Sequence, residues 1–443
     1  MTSPAPRPRI SVLGTGYLGA THAVCMTELG YEVIGLDVDA SKVAKLANGE
    51  VPFFEPGLTE LLRKNIDTGR LSFTTSAEEA AYFADVHFIC VGTPQVKGGY
   101  AADLSYVEAA FSALAPLLTR PALVVGKSTV PAGTAARMAE LVASLAPCPD
   151  VEVAWNPEFL REGFAVEDTL RPDRLVFGVQ SAQAEAQLRE IYSPVIDNGC
   201  PVIVTDFATA ELVKVAANSF LATKISFINA MAEICEVTGA DVTKLSQALG
   251  YDDRIGRRFL QAGLGFGGGC LPKDIRAFMA RAGELGVDHA LAFLHNVDEI
   301  NLRRRARAVD LGRELAGGSL RGARVAVWGA AFKPNSDDIR DSPALDVASA
   351  VHAEGAQVVV YDPAAMDNAR RAYPQLTYAE SALAAARDAD LVLLLTEWTE
   401  FRQMDPTVLG EAVAERHIVD TRNVLDPDQW RAAGWTYRAL GRP

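Results

Sequence analysis

The stretch RISVLGTGYLGATHAV, followed shortly by EVIGLD, constrains the fold of this chain more than any other feature. An apolar strand pattern runs into Gly14, Gly16 and Gly19, and a helical pattern continues to about Leu29, where Gly30 ends it. A second apolar strand closes on Asp37. Short strands alternating with a helix in this way define a βαβ unit. Gly14 permits the tight turn, Gly16 lets backbone N–H groups approach a pyrophosphate, and Gly19 lets the helix pack closely on the sheet. Tyr17 and Leu18 fill the turn between them. Asp37 stands where a carboxylate accepts hydrogen bonds from an adenosine ribose and repels a 2′-phosphate, so the motif predicts NAD rather than NADP.

Further strands are expected in DVHFICVG to Gly92, ALVVGKST to Thr129, VEVAWNP to Pro157 and RLVFGV to Val179. Ser76 and Glu79 are spaced as a capping box. This α/β pattern extends to about residue 200. From Asp206 to Gly239 the chain then has no proline and no glycine before the last position, with apolar residues recurring at three and four. That is one long helix, and helical pattern continues to about Leu315. Near Ser319 the α/β character returns with RVAVWG, a helix from about Pro343 to Glu354, QVVVYDP, ADLVLLLTEW and HIVDTRN. The expected fold is α/β: two Rossmann-like doubly wound domains, 1–200 and 319–443, joined by a helical central domain, 201–318. The second strand–turn, VWGAAFKPNSDD, lacks the three-glycine fingerprint and is not expected to be a second NAD site.

A chain of 443 residues is too long for one ordinary core. A net charge of −14 argues against nucleic acid as a partner. No apolar run is long enough to span a bilayer, and the leader-like N-terminus is broken by Gly14, Thr15, Gly16 and Gly19, so a cytoplasmic protein is expected. The six cysteines are scattered without a C-x-x-C pair or Cys/His clustering, which predicts neither disulfides nor a metal site.

Gly92 and Thr93 of ICVGTP, and Thr129 of KSTVPAGT, fall at the carboxyl ends of strands, where open α/β sheets bind ligands. On the long helix, Lys214 and Asn218 are one turn apart and share a face. Lys214 lies in apolar surroundings; a salt bridge with Glu211 and a functional role weigh equally. Glu158 and Glu162 of NPEFLREG would also share a face if helical. The run GFGGGCLPKD surrounds Cys270 with glycines, and Pro272 suits the first turn of a helix. Cys270 would then sit just before a helix N-terminus, beside Lys273, and both features favour a reactive thiolate. A dinucleotide and a thiolate together suggest oxidation of an aldehyde through a thiohemiacetal and a thioester.

The motifs GTGYLG, VGTP, KSTVPAGT, NPEFLREG, ELVKVAANSFLATKISFIN, RIGRRFL, GFGGGCLPKD and FKPNSDDIRDSPA occur in that order over nearly the whole chain. In this the chain resembles the UDP-glucose/GDP-mannose dehydrogenase family, and its UDP-glucose branch more than its GDP-mannose branch. The resemblance implies an N-terminal NAD domain, a helical dimerisation core forming a homodimer, and a C-terminal nucleotide-sugar domain. It implies oxidation of the sugar C6 alcohol to a carboxylate with two NAD. Cys270 would be the nucleophile, and Lys214 would stabilise oxyanion character. Asp274 and Thr129 would position a water, and Glu158 is a candidate base. Asn218 would touch the sugar, and Phe159, Leu160 and Arg161 would line its site, with Glu162 near both ligands. Gly265, Phe332, Lys333 and Arg422 would hold the UDP-sugar, and Arg254 would reach into the partner's site. Lys42, Thr93 and Arg340 would join Gly14, Gly16, Gly19 and Asp37 around NAD. Three departures stand out: Gly269 for the family's usual serine, Leu271 for phenylalanine, and Ser336 for threonine. The rival substrates are GDP-mannose and a UDP-N-acetylhexosamine. Two other readings are a silent NAD or nucleotide-sugar sensor and a two-electron dehydrogenase in which Cys270 is structural.

Overall fold

The computed structural model describes residues 7–443; residues 1–6, part of the leader-like stretch, lie outside the described residues. The chain forms two compact units. One holds the residues up to Ala217 together with Arg276–Glu284, and the other holds Asn218–Ile275 and Leu285–Pro443.

The first unit is built on eight strands: β1 (Ile10–Leu13), β2 (Val33–Leu36), β3 (Leu71–Thr74), β4 (Val86–Ile89), β5 (Ala122–Gly126), β6 (Val151–Trp155), β7 (Leu175–Gly178) and β8 (Val202–Thr205). Their order is β3-β2-β1-β4-β5-β6-β7-β8. All neighbours are parallel except β6 and β7, which meet antiparallel at Trp155 and Gly178. Strands β1, β2, β4 and β5 are buried along their whole length, as a parallel sheet covered on both faces requires. The sequence reading omitted β3 and β8. Both are short edge strands; β3 is half polar and β8 is largely solvent-facing, so neither carries a buried-strand signature. The sheet therefore runs to Thr205, past the expected boundary at 200.

The second unit carries six parallel strands: β9 (Arg324–Trp328), β10 (Gln357–Tyr361), β11 (Thr377–Tyr378), β12 (Leu391–Leu394), β13 (His417–Asp420) and β14 (Thr436–Ala439), in the order β11-β10-β9-β12-β13-β14. Matching β9 to β1, this repeats the order of the first six strands of the other sheet. The edge strands β11 and β14 were not anticipated; one is two residues long and the other alternates exposed and buried positions.

The proline-free segment forms one helix, Phe207–Thr238, whose residues are shared between the units. A helix spans Leu271–Glu284, and another, Phe293–Leu315, precedes β9. Ser76 caps its helix by accepting from the Glu79 N–H at 3.1 Å. The reciprocal arm of the box does not form: the Glu79 carboxylate accepts instead from the Thr74 hydroxyl.

Candidate active site

In the first unit the glycine turn leads from β1 into the helix Tyr17–Glu28. Gly14 adopts φ +88°, and a Cβ on Gly19 would fall 1.8 Å from the Gly14 carbonyl oxygen, so close helix–sheet packing requires glycine there. Gly16 occupies the helix N-cap, where no side chain caps the first N–H groups, and no atom lies within 4 Å of where its Cβ would be. Open space over uncapped N–H groups fits a pyrophosphate. Asp37 is buried at the end of β2. Its Oδ2 accepts from the Thr15 N–H at 2.8 Å and pairs with Lys42 at 2.9 Å. Burial pushes the Asp37 carboxyl up, but Lys42 and the N–H groups of Asp39 and Thr15 outweigh it and hold the group below its ordinary value. The residues present thus fit a dinucleotide.

Two other cofactor candidates meet directly: the Thr93 hydroxyl donates to the Thr129 carbonyl at 2.8 Å. Gly92, like Gly16, has open space over its Cα. Leu18 packs on the sheet core, and the Tyr17 hydroxyl donates to the Glu55 carboxylate. Glu55 is buried and accepts from Gly163 and Ala165 N–H at 2.6 and 2.7 Å, anchoring the turn that ends NPEFLREG.

That segment is not helical: residues 156–160 have no regular structure and a turn follows. Glu158 and Glu162 are therefore not one helical turn apart. The chain leaves β6 through Asn156–Pro157, and proline there opposes helical continuation. Glu158, partly buried, bridges to the buried Lys214 at 2.9 Å. Glu211, the partner weighed for Lys214, accepts instead from Gly133 and Ala135 N–H at 2.7 and 2.6 Å. The Phe159 ring lies under the Arg174 guanidinium at 3.9 Å and the Lys214 amine at 5.6 Å. Leu160 N–H donates to Glu158 at 2.8 Å, Arg161 is clamped to Asp168 at 2.7 Å, and Glu162 is buried.

One buried group was missed. Lys127, which ends the apolar run ALVVG, donates to Asn156 Oδ1 at 3.0 Å and to the Tyr192 hydroxyl at 3.3 Å. It thereby ties together the ends of β5 and β6, just ahead of Thr129 and Glu158. Burial pushes its amine down to about 8. Its only signal in the sequence is a lysine closing an apolar strand.

In the second unit, Cys270 is exposed at the residue before the helix Leu271–Glu284. The other cysteines of that unit and the first are more enclosed: Cys25, Cys90 and Cys235 are buried, and burial raises both Cys25 and Cys90 to about 12. Asp274, in the first turn after Cys270, is buried. It accepts from Asn218 Nδ2 at 2.6 Å and from Lys273 Nζ at 2.6 Å. Lys273 pairs with Asp274 at 2.6 Å. Arg422 gathers the nucleotide-sugar candidates: it donates to the Gly265 carbonyl at 3.0 Å and the Phe332 carbonyl at 3.5 Å. Lys333 Nζ lies 5.3 Å from the Phe332 ring centroid. Arg340 is bound to Asp338 at 2.6 Å, and Arg254, strongly exposed, to Asp252 at 2.7 Å.

Models of the UDP-glucose/GDP-mannose dehydrogenase family match three segments of the chain: the NAD binding domain at residues 8–196, the central domain at 208–303 and the UDP binding domain at 326–427. The chain is 42% identical over 440 residues to a UDP-glucose 6-dehydrogenase of Rhizobium meliloti (strain 1021), covering 98% of this chain and 100% of that one. A solved UDP-glucose dehydrogenase from Pyrobaculum islandicum superposes with a TM-score of 0.92 at 40% identity, over 100% of both chains. A UDP-D-ManNAc dehydrogenase from Pyrococcus horikoshii gives 0.85 at 28% identity, covering 98% of this chain and 99% of that one.

Proposed function

The chain belongs to the UDP-glucose/GDP-mannose dehydrogenase family, and on that premise we propose that it oxidises the C6 alcohol of UDP-glucose to the carboxylate of UDP-glucuronate. The observation that carries the chemistry is Cys270, an exposed thiol at a helix start with Asp274 one turn on. UDP-glucose is favoured over a UDP-N-acetylhexosamine because identity to the UDP-glucose enzymes is 40–42% against 28% for the UDP-D-ManNAc enzyme.

NAD, when bound, accepts a hydride in each of the two oxidations. Gly14, Gly16 and Gly19 would leave room for its pyrophosphate, Asp37 with Lys42 would meet its ribose, and Gly92, Thr93, Thr129, Glu162 and Arg340 would complete its surroundings. The first oxidation takes a hydride from C6 and a proton from its hydroxyl, leaving an aldehyde. The Cys270 thiolate then adds to C6, forming a C–S bond and an oxyanion that the Lys214 ammonium stabilises. Loss of a second hydride from C6 gives the thioester. A water held by Asp274 and Thr129 attacks the acyl carbon, Glu158 takes its proton, and the C–S bond breaks to release the carboxylate and the thiol. Asn218, Phe159, Leu160, Arg161 and Glu162 would orient the sugar. Phe332, Lys333, Gly265 and Arg422 would hold the nucleotide.

A homodimer through the long helix is part of this reading. Phe220, Phe227 and Ile234 recur at intervals of seven on that helix and are exposed, with Val237 beside them. Such a stripe is expected to be covered by a second copy, and the exposed Arg254 would extend toward the partner's site. A reducing compartment, the cytoplasm, suits buried thiols at Cys25, Cys90 and Cys235 and a reactive Cys270.

The test is NADH yield per mole of UDP-glucose at completion, with GDP-mannose and UDP-N-acetylglucosamine run alongside. Two NADH from UDP-glucose are expected, and Cys270→Ser should lower complete turnover by about three orders of magnitude while NAD still binds. Two NADH from another sugar would move the substrate. One NADH with Cys270→Ser fully active would return the thiol to a structural role, and none from any sugar would favour a sensor.

A further inference from the structure

Phe159, the first residue of the sugar-lining segment, meets two cations within the first unit. Strands β6 and β7 pair antiparallel at Trp155 and Gly178, and the Asn156 amide extends the contact by donating to the Val176 carbonyl at 3.0 Å. Carried on at the same register, this run brings Phe159 opposite Arg174. The Arg174 guanidinium carbon lies 3.9 Å from the Phe159 ring centroid, whereas the other cation–ring distances among the described residues run from 4.2 to 6.0 Å. Arg174 is partly buried, and among the described residues the ring is its one charge or ring partner. Arg161 shows the contrast: Asp168 clamps its guanidinium at 2.7 Å, and the nearest ring, Phe164, is 5.1 Å away. Asp173, beside Arg174 in the chain, is exposed. The second cation, Lys214, lies 5.6 Å from the Phe159 centroid and is neutralised by Glu158 at 2.9 Å. Glu158 in turn accepts from the Leu160 N–H at 2.8 Å. The ring also packs against the core that holds Phe111 and Trp155.

We propose that Arg174 is a positioning residue: stacked on Phe159, it fixes the first residue of the sugar-lining segment and, through that ring and Glu158, the Lys214 amine. A cation is attracted to the negative face of an aromatic ring, more strongly where water is partly excluded. A carboxylate would compete for the guanidinium; with none engaged, the ring keeps it. Lys214 and Glu158 neutralise each other, so the pair does not drive Arg174 away. Residues 156–160 have no regular structure, so no helix or sheet ladder fixes the backbone there and side-chain contacts must do so. The inference rests on the reading that residues 159–162 line the sugar.

The test is steady-state kinetics of Arg174→Leu and Arg174→Lys with UDP-glucose and NAD, together with hydrogen–deuterium exchange over residues 157–164 of the full-length enzyme without ligands. Arg174→Leu should raise the UDP-glucose KM about threefold and lower kcat about threefold, with the KM for NAD unchanged. Exchange over 157–164 should be about threefold faster. Arg174→Lys, which keeps a cation for the ring, should recover about half of each loss. Phe159→Leu should lower kcat/KM by itself, and adding Arg174→Leu should then cost no more, because the arginine acts through the ring. Parent-like kinetics or parent-like exchange in Arg174→Leu would overturn the proposal, as would equal losses in the Lys and Leu variants or additive losses in the double variant. If Arg174→Leu does not fold, Arg174→Gln takes its place in every comparison. If the parent turns over a different nucleotide sugar, the substrate reading is lost and the kinetics are run on that sugar. If it turns over none, the exchange comparison decides alone.

Discussion

The two sheets share a strand order around β1 and around β9, and both place an aspartate at the end of the second strand, Asp37 and Asp362. The use made of that position differs. Asp37 takes one N–H of its glycine turn, from Thr15, and the helix that follows the turn starts at Gly16 with no side-chain cap. Asp362 accepts from both Ala330 and Ala331 N–H, at 2.7 and 3.0 Å, from Ala364 and Ala365 N–H, and from the Trp398 indole at 3.1 Å. The helix that follows in the second sheet, Pro343–Ala353, is capped by the Ser342 side chain. One turn keeps its donors for an outside anion, and the other satisfies them with its own carboxylate and hydroxyl. The topology is common to both; the identity of the acceptor decides which half is a dinucleotide site.

The sharpest way to break this comparison is to remove both acids. Asp362→Ala leaves buried donors unsatisfied and should destabilise the second sheet by about 3 to 5 kcal/mol, read in thermal or denaturant unfolding, with NAD affinity unchanged. Asp37→Ala should do the reverse, weakening NAD about tenfold or more and relaxing the bias against NADP, with a small loss of stability. Equal destabilisation by the two would end the distinction.

A smaller contrast concerns the helix starts. Gly16→Ala meets no atom within 4 Å and keeps an ordinary φ of −69°, so folding should be preserved while NAD binding falls about tenfold. Ser342→Ala should cost about 1 kcal/mol of stability and leave NAD titrations unaltered.

The smallest effect is in pH dependence. Lys127 follows β5; the matching position after β13 is Thr421, whose hydroxyl donates to the Leu394 carbonyl at 2.7 Å. Burial lowers Lys127 from 10.5 to about 8. The unfolded chain therefore binds more protons than the folded one between about 8 and 10.5, and stability should rise with pH across that window. The penalty is fully present below about 8. Lys127→Met should flatten this slope in the first unit, and an unchanged slope in stability measured from pH 7.5 to 10.5 would show that Lys127 is not the group responsible.

The sequence by itself determined the βαβ start with its three glycines, the long helix, the helix start after Cys270 and the family. Each of these is a local pattern, set by residues close together in the chain and by φ and ψ preferences that travel with them. VIGLD and VVVYD carry the same local signal, yet Asp37 and Asp362 have different surroundings, because the donors that reach Asp362 come from Ala330, Ala331 and Trp398. Likewise Lys214 meets Glu158 rather than nearby Glu211, and Asp274 meets Asn218 across 56 residues. Hydrogen-bond and charge partners depend on which strand ends and helix faces the packed chain brings within about 3 Å, and only the tertiary structure decides that.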